Sequence, residues 1–522
     1  MPLLIAAPAF AQGSTAANAE YVRARIADAA GLSGPAVAAY SAALAADPDD
    51  EILAMRAYRR ALSAGDYTLA SRAAAVLVRA GSAPPDTALL AFGMALKSGD
   101  RAGTDAAVAR IATGPLNFLA PVLQAWLAVD RHEDPMPFLD KARDNPFAMR
   151  YVAYHRPLLM IASGRSSDAV VSLSALLAPG ADENDDLRVD AAALFAASGQ
   201  RRLAAPLIAA DRADYALLRK QLGKGPKPGA VFGASRLFRG MARDVAAQEI
   251  PVLSILLTRT ALLLDPDDDR ARLCLAEALS QDGADALALA ELAKVPADSP
   301  WYRTARAGSI TVLQAAGRSA EALPLARALA EDRDATAADS RTYGDVLAAN
   351  AQYAAAADAY GVALARAGGD GGWELHFLQG SAFDRAGQWA RALPALKRAV
   401  ELGPDQASAL EYLGYAQVTR GENLAEAQDL LERASKIEPD DPGISASLAW
   451  AYYVRGDVAR ALPLLEKAVV GDPGGALSNE HLGDAYWRVG RKYEARYAWN
   501  AAAIYADADA AKRIEGKIAA GL

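Results

Sequence analysis

Residues 442–475 read PGISASLAWAYYVRGDVARALPLLEKAVVGDPGG, two apolar stretches of helical length separated by a glycine and ended by a proline. Within this stretch Gly456 precedes Ala461 by five residues, and Ala468 precedes Pro473 by five. The same order of Gly, Ala, Ala and Pro recurs about every 34 residues. A period of this length is typical of stacked helical hairpins, because one hairpin cannot bury its apolar face alone.

The repeat is clearest towards the C-terminus and weaker before it. Pro404, Pro439 and Pro473 follow one another at intervals of 35 and 34 residues. Between residues 114 and 222 the prolines lose the pattern, but apolar residues keep helical spacing, which indicates degenerate hairpins. The pattern predicts an all-α fold, a solenoid of stacked antiparallel helix hairpins. The four clearest copies begin near Trp373, Ala407, Pro442 and Ala476.

The densest group of glycines and prolines, GKGPKPGAVFGA, lies at residues 223–234. Gly and Pro at this density stop helices, so this segment is expected to be a solvent-exposed break between two arms. Residues 12–222 would form an N-terminal arm of degenerate repeats. Residues 235–522 would form the C-terminal repeat array, ended by a polar capping helix.

The N-terminus resembles the second half of a secretory signal. Residues 3–7 are apolar, and the small residues Ala9 and Ala11 precede Gln12 in an Ala-x-Ala arrangement, without the positively charged segment that normally comes first. We therefore interpret residues 1–11 as the remnant of a cleavable signal peptide and expect a periplasmic or otherwise exported protein. No apolar run reaches the roughly 20 residues of a transmembrane helix.

Composition and motifs argue against several classes of function. A net charge of −8 and a pI near 5.3 provide no basic surface for nucleic acid. The single cysteine, Cys274, excludes an intrachain disulfide, and the four histidines lack metal-ligand spacing. No catalytic motif is present, so we expect no enzyme, no cofactor and no metal. Acidic runs at residues 47–50, 265–269 and 438–441 fall at helix-to-helix turns, where Asp is expected to cap the next helix.

The last repeats share a Leu followed by Gly or Ala in the first helix, and an aromatic residue in the same helix. A Gly follows in the turn, an Ala in the second helix and, where the copy continues, a Pro at its end. In these features the chain resembles tetratricopeptide repeat proteins, and the signal-like N-terminus suggests a secreted bacterial type. The resemblance implies a right-handed superhelix that binds peptides or proteins in its concave groove and has no enzymatic activity. The residues that carry it are Leu413-Gly414, Leu448-Ala449, Tyr452, Leu482-Gly483 and Tyr486.

In such a repeat the fifth, ninth and twelfth residues of each first helix share one side and line the groove. The predicted lining is aromatic and acidic, so we expect a protein or peptide partner with an extended apolar and basic segment. It lacks the basic residues of the family's carboxylate clamps. An alternative remains open, in which Trp450 and Trp487 pack between repeats as core. The predicted partner-binding residues are Phe377, Asp384, Glu411, Tyr415, Trp450, Tyr453, Glu480, Asp484 and Trp487.

Two other functions stay open at this point. Secreted members of the family also serve envelope assembly or polysaccharide export. The irregular segment at residues 114–222 could instead bind a small molecule, since it holds Trp126, His132, Tyr154 and His155. The sequence does not indicate the oligomeric state.

Overall fold

A computed structural model describes residues 15–177, 184–209, 213–222, 227–368 and 371–522. Across these ranges every regular element is helical and none is a strand, so the predicted all-α fold is confirmed. The chain divides into two compact units, Met1–Arg318 and Ser319–Leu522. The predicted signal remnant, residues 1–11, lies outside the described residues.

In the described residues of the first unit there are eighteen α-helices and two short 3-10 helices, Asn117–Leu119 and Ala205–Ile208. The α-helices are α1 Thr15–Ala29, α2 Ser33–Ala46, α3 Glu51–Ala64, α4 Tyr67–Ala80, α5 Thr87–Ser98, α6 Arg101–Thr113, α7 Ala120–Asp130, α8 Met136–Asp140, α9 Pro146–Ala162, α10 Ser166–Leu176, α11 Asp185–Ala197, α12 Arg201–Ala204, α13 Ala213–Gln221, α14 Ala230–Ala246, α15 Pro251–Leu264, α16 Asp269–Gln281, α17 Asp285–Leu292 and α18 Tyr302–Ala315.

The second unit continues as a regular series of hairpins in which each first helix packs on the second helix that follows it. Its helices are α19 Ser319–Ala330, α20 Ala337–Ala349, α21 Tyr353–Arg366, α22 Gly372–Arg385, α23 Trp389–Leu402, α24 Ala407–Arg420, α25 Leu424–Ile437, α26 Pro442–Val454, α27 Val458–Gly471, α28 Ala476–Arg488, α29 Lys492–Tyr505 and α30 Ala508–Ala520.

Acidic residues cap helices as the sequence predicts. The carboxylate of Asp50 accepts the backbone N–H of Leu53 at 2.9 Å, and that of Asp441 accepts the N–H of Ile444 at 2.8 Å. Each bond satisfies one of the donors that the first turn of a helix leaves unpaired. The acidic runs at these two turns therefore start helices.

Small residues in the first helices allow the two helices of a hairpin to approach closely. A Cβ added to Gly414 in α24 would lie 2.8 Å from Leu431 and 3.0 Å from the carbonyl oxygen of Ala427, both in α25. These distances are too short for real side chains. The glycine at this position therefore allows the close approach of α24 and α25.

In the first unit, helices that follow the predicted break pack against helices that precede it. α15 packs on α3 and α5, and α14 packs on α7. Arg259 of α15 donates to the carbonyl oxygens of Leu62 at 3.0 Å and Ser63 at 2.6 Å, and it forms an ion pair with Glu291 at 2.7 Å. The guanidinium thus satisfies carbonyls at the C-terminal end of α3, where a cation is favourable.

The segment at residues 223–234 differs from the expected exposed break. Residues 223–226 lie outside the described part of the chain, but residues 230–234 form the first turns of α14. The Ala230 N–H donates to Asp130 at 3.1 Å, and Gly233 is buried against the ring of Trp126. Gly233 therefore allows close packing of α14 on Trp126. Composition alone does not show whether a glycine is present for close packing or for chain flexibility. Along the chain, the boundary of the compact units falls instead between Arg318 and Ser319.

A buried network of five charged side chains joins α11, α14 and the start of α16. Asp190 is fully buried and accepts from Arg239 at 2.7 Å, from Arg236 at 3.2 Å and from Arg270. Asp268, which caps α16, accepts from Arg239 at 2.6 Å and Arg236 at 2.8 Å. We call these five residues the buried ion network.

Candidate functional site

The nine predicted partner-binding residues all lie on first helices of the second unit, namely α22, α24, α26 and α28. They occupy equivalent positions in successive repeats, so they follow one another along one face. We call this the first-helix face. Their surroundings differ from one helix to the next.

Phe377 and Asp384, on α22, both contact Tyr412 of the next first helix. The rings of Phe377 and Tyr412 meet edge to face with centroids 5.5 Å apart. The Tyr412 hydroxyl donates to Asp384 at 3.1 Å, and Asp384 also pairs with Arg420. The Asp384 carboxylate therefore already has a hydroxyl donor and a cation, both from the next repeat.

Glu411 and Tyr415, on α24, form a different environment. The Glu411 carboxylate is half-buried and accepts from the Ser447 hydroxyl at 2.6 Å, but no described residue forms an ion pair with it. Burial raises the pKa of Glu411. Burial, followed by the nearby charges of Glu411 and Glu480, raises the pKa of Tyr415 to about 12. An unneutralised carboxylate beside a phenol ring is a favourable place for a cation.

Trp450 and Tyr453, on α26, continue this surface with aromatic rings. The two rings stack with centroids 4.8 Å apart, and Trp450 also stacks on His481 of α28 at 3.7 Å. Burial lowers the pKa of His481 to about 3, so the imidazole is neutral near pH 7. Trp450 thus packs between repeats while it remains half-exposed. Trp450 therefore contacts the next repeat through His481 and also remains partly accessible on the first-helix face.

Glu480 and Asp484, on α28, face the capping helix α30. Lys517 pairs with both carboxylates at 2.7 Å, and Arg513 pairs with Glu480 at 2.6 Å. Burial would raise the pKa of Glu480, but the hydrogen bonds from Arg513 and Lys517 outweigh it and hold the pKa at about 2. These two acids hold the cap in place, and both already have cationic partners.

Trp487 also packs within the C-terminal end of the unit. Its ring lies 5.4 Å from that of Trp499, and a Cβ added to Gly521 would lie 2.0 Å from it. The Trp499 indole N–H in turn donates to Asp484 at 2.9 Å. The first-helix face that the cap leaves accessible is therefore centred on Glu411, Tyr415, Trp450 and Tyr453. We call these four residues the acidic-aromatic surface.

Of the residues singled out in the irregular segment, Trp126, Tyr154 and His155 lie close together, and His132 lies apart from them. The Trp126 indole donates to Nδ1 of His155 at 3.0 Å, and the Tyr154 hydroxyl donates to Asp190 of the buried ion network at 2.6 Å. Burial lowers the pKa of His155 to about 3. His132 is exposed in the turn after α7. Within the ranges that the structure describes, no three His, Cys, Asp or Glu side chains are grouped to hold a metal ion.

Comparison with known families agrees with this geometry. Residues 377–442 match one tetratricopeptide repeat model and residues 420–479 match a second. Residues 377–479 of the chain therefore consist of tetratricopeptide repeats. Repeats of this kind are scaffolds that bind proteins or peptides, and they are generally not catalytic. No curated protein sequence matches the chain.

Several solved structures are similar to the chain at low sequence identity. MamA from Desulfovibrio magneticus RS-1, residues 41 to the end, is 19% identical, with 32% of this chain and 94% of that chain covered and a TM-score of 0.30. The APC/C hetero-tetramer Cut9-Hcn1 is 14% identical, with 95% and 96% covered and a TM-score of 0.39. Yeast Tom70 is 13% identical, with 97% and 95% covered and a TM-score of 0.34.

Helix length and polarity bear on the membrane question. In the part of the chain that the structure describes, no helix combines the length and apolar character needed to cross a bilayer.

Proposed function

We propose that the protein is a non-enzymatic interaction scaffold whose C-terminal array binds an extended segment with basic and apolar side chains. The segment lies along the groove formed by the first helices and is held at the acidic-aromatic surface. The observation that carries the proposal is the half-buried Glu411 carboxylate, which has a hydroxyl donor but no cation among the described residues.

The chemistry of this surface favours a lysine or arginine flanked by apolar residues. A partner cation would neutralise Glu411 and lie against aromatic rings, which attract cations by about 0.5–2 kcal/mol depending on desolvation. Trp450 and Tyr453 offer large, rigid apolar area, and aromatic anchors of this kind commonly contribute about 2 kcal/mol to binding. Asp384, Glu480 and Asp484 already have cationic partners, so they add less to the attraction.

Replacing Glu411 with Gln is expected to weaken binding of a short labelled peptide of alternating Lys and Leu by about tenfold, because a partly desolvated ion pair is lost. Fluorescence anisotropy measures the affinity. The matched control is Glu401→Gln on α23, which removes an exposed carboxylate that pairs with the exposed Arg398. It should leave the affinity within about twofold.

The pH dependence of peptide affinity is a second test of the role of Glu411. Because burial raises the pKa of Glu411, the wild-type affinity for the Lys-Leu peptide should fall on acidification at a higher pH than an ordinary glutamate would give. The Glu411→Gln variant should lack this step. Equal affinities and equal pH profiles for wild type and variant would contradict the proposal.

We also propose that the scaffold works in the bacterial cell envelope, outside the cytoplasm. The support is the apolar and Ala-x-Ala sequence at residues 3–11. The native protein should be recovered from the periplasmic fraction with its N-terminus at Gln12, as read by peptide mass spectrometry. Recovery with the cytoplasmic markers and an intact N-terminus would contradict this location.

A further inference from the structure

The first unit contains a second surface that the repeat pattern does not predict. A cleft of about 580 Å³ lies between the turn that joins α1 to α2, the helix α3, and the start of α17. Residues 282–287 thus complete a site whose other walls come from residues 25–63. Its size is within the range of clefts that bind small molecules or peptide side chains.

Arginines dominate the charge of this cleft. Arg60 pairs with Asp28, which also accepts the Tyr40 hydroxyl at 2.8 Å. In contrast, no described residue forms an ion pair with Arg25, Arg56 or Arg59, although all three line the cleft. Asp285 accepts from Ser280 at 2.9 Å, and Asp282 also lies in the wall. The Arg56 guanidinium lies over the Tyr21 ring, 5.4 Å from its centroid, and this contact leaves its charge unneutralised. The three guanidinium groups are therefore available to an anionic partner.

Backbone donors add to the positive character. α2 begins at Ser33 and α17 at Asp285, and neither helix has a side-chain hydrogen bond that caps its N-terminus. Both N-termini contribute to the cleft wall. The Ser33 hydroxyl oxygen is buried without a hydrogen-bond partner. Uncapped first turns carry partial positive charge and free N–H groups, which favour anions.

An apolar shelf adjoins the charged cleft. A second depression of about 510 Å³ shares Arg56 and Arg59 with it and is otherwise lined largely by apolar side chains, including Ile52, Met55 and Leu77. Ile52 is 71% exposed. A free ion would leave this shelf uncovered, whereas a peptide could place carboxylates on the arginines and an aliphatic side chain on the shelf.

We propose that this cleft and shelf bind an acidic segment of a partner protein, in which two or more carboxylates flank an aliphatic residue. The chemistry is opposite to that of the acidic-aromatic surface in the second unit. The inference does not depend on the function proposed for that surface. If both hold, the chain links an acidic segment to a basic one, and the scaffold is an adaptor between two different partners.

The test uses the full chain and a short labelled peptide of alternating Glu and Leu. Arg56→Ala with Arg59→Ala should weaken its binding by about tenfold or more, since two charge-assisted contacts are removed. The matched control is Arg201→Ala with Arg202→Ala, which removes two exposed arginines of α12 that do not line the cleft. It should change the affinity by less than about twofold.

Further measurements separate this inference from a general charge effect and from the first proposal. Binding of the Lys-Leu peptide should be unchanged in the Arg56/Arg59 variant. Unchanged hydrogen-exchange protection of α1 to α4 would show that the first unit of the variant is folded. Glu-Leu binding should be unchanged by Glu411→Gln. Inorganic phosphate at the same concentration should not displace the Glu-Leu peptide. Equal weakening by the two arginine pairs, or displacement by phosphate, would overturn the inference.

Discussion

Replacing Asp190 with Asn is expected to destabilise the first unit by about 3–5 kcal/mol, the usual cost of removing one partner from a buried ion pair. Asp190 is fully buried and is the acceptor for Arg236, Arg239 and Arg270. The neutral amide would leave three buried guanidinium groups with one carboxylate fewer. A buried charge without compensation is costly because water cannot solvate it.

Hydrogen exchange followed by mass spectrometry is the suitable measurement, because two compact units need not unfold as one. Protection should fall in α11, α14 and α16 and remain unchanged in the second unit. The control is Asp105→Asn, whose ion pair with Arg131 is about half-exposed and should contribute less than about 1 kcal/mol. Unchanged protection in the Asp190 variant would show that the network is not needed for stability.

The same network sets the expected response to acid. Burial would raise the pKa of Asp190, but Arg239, Arg270 and Arg236 outweigh it and hold the pKa well below the usual value. A lowered pKa means that the contribution to stability is complete above the unfolded value of about 3.9 and is lost as the pH falls through the folded value. The network should therefore keep its full contribution throughout the neutral range.

The regular repeats were predictable from the sequence because their contacts are local. Copies were expected to begin at Trp373, Ala407, Pro442 and Ala476, and the corresponding helices begin at or within one residue of these positions. The polar capping helix was also expected, and α30 is present. The repeat period also predicts the ion pairs of Glu480 and Asp484 with α30, since Arg513 follows Glu480, and Lys517 follows Asp484, by 33 residues. Extending the repeat count into α30 would have revealed these ion pairs.

The buried ion network and the basic cleft could not be found in this way. Asp190 belongs to the irregular segment at residues 114–222, whereas Arg239 and Arg270 come later, in α14 and α16. The cleft joins residues 25–63 to residues 282–287. Such contacts depend on how α14 and α15 pack back on the first helices. A repeat period predicts contacts only between neighbouring hairpins along the array. It therefore does not predict that α14 and α15 pack on the first helices.

Replacing Gly233 with Ala is expected to destabilise the first unit by about 3 kcal/mol, at or above the upper end of typical overpacking. An added Cβ would lie 2.0 Å from the ring of Trp126, which is fully buried and cannot move aside without displacing its neighbours. Gly240 in the same helix α14 is the matched control, since nothing lies within 4 Å of the corresponding Cβ. There Ala should stabilise the helix by up to about 1 kcal/mol through its higher helix propensity. The two substitutions are chemically identical, so opposite signs in thermal or denaturant unfolding would isolate the contact with Trp126. If Gly233 instead belonged to an exposed break, Gly233→Ala would be neutral or stabilising, and the close packing of α14 on α7 would be wrong.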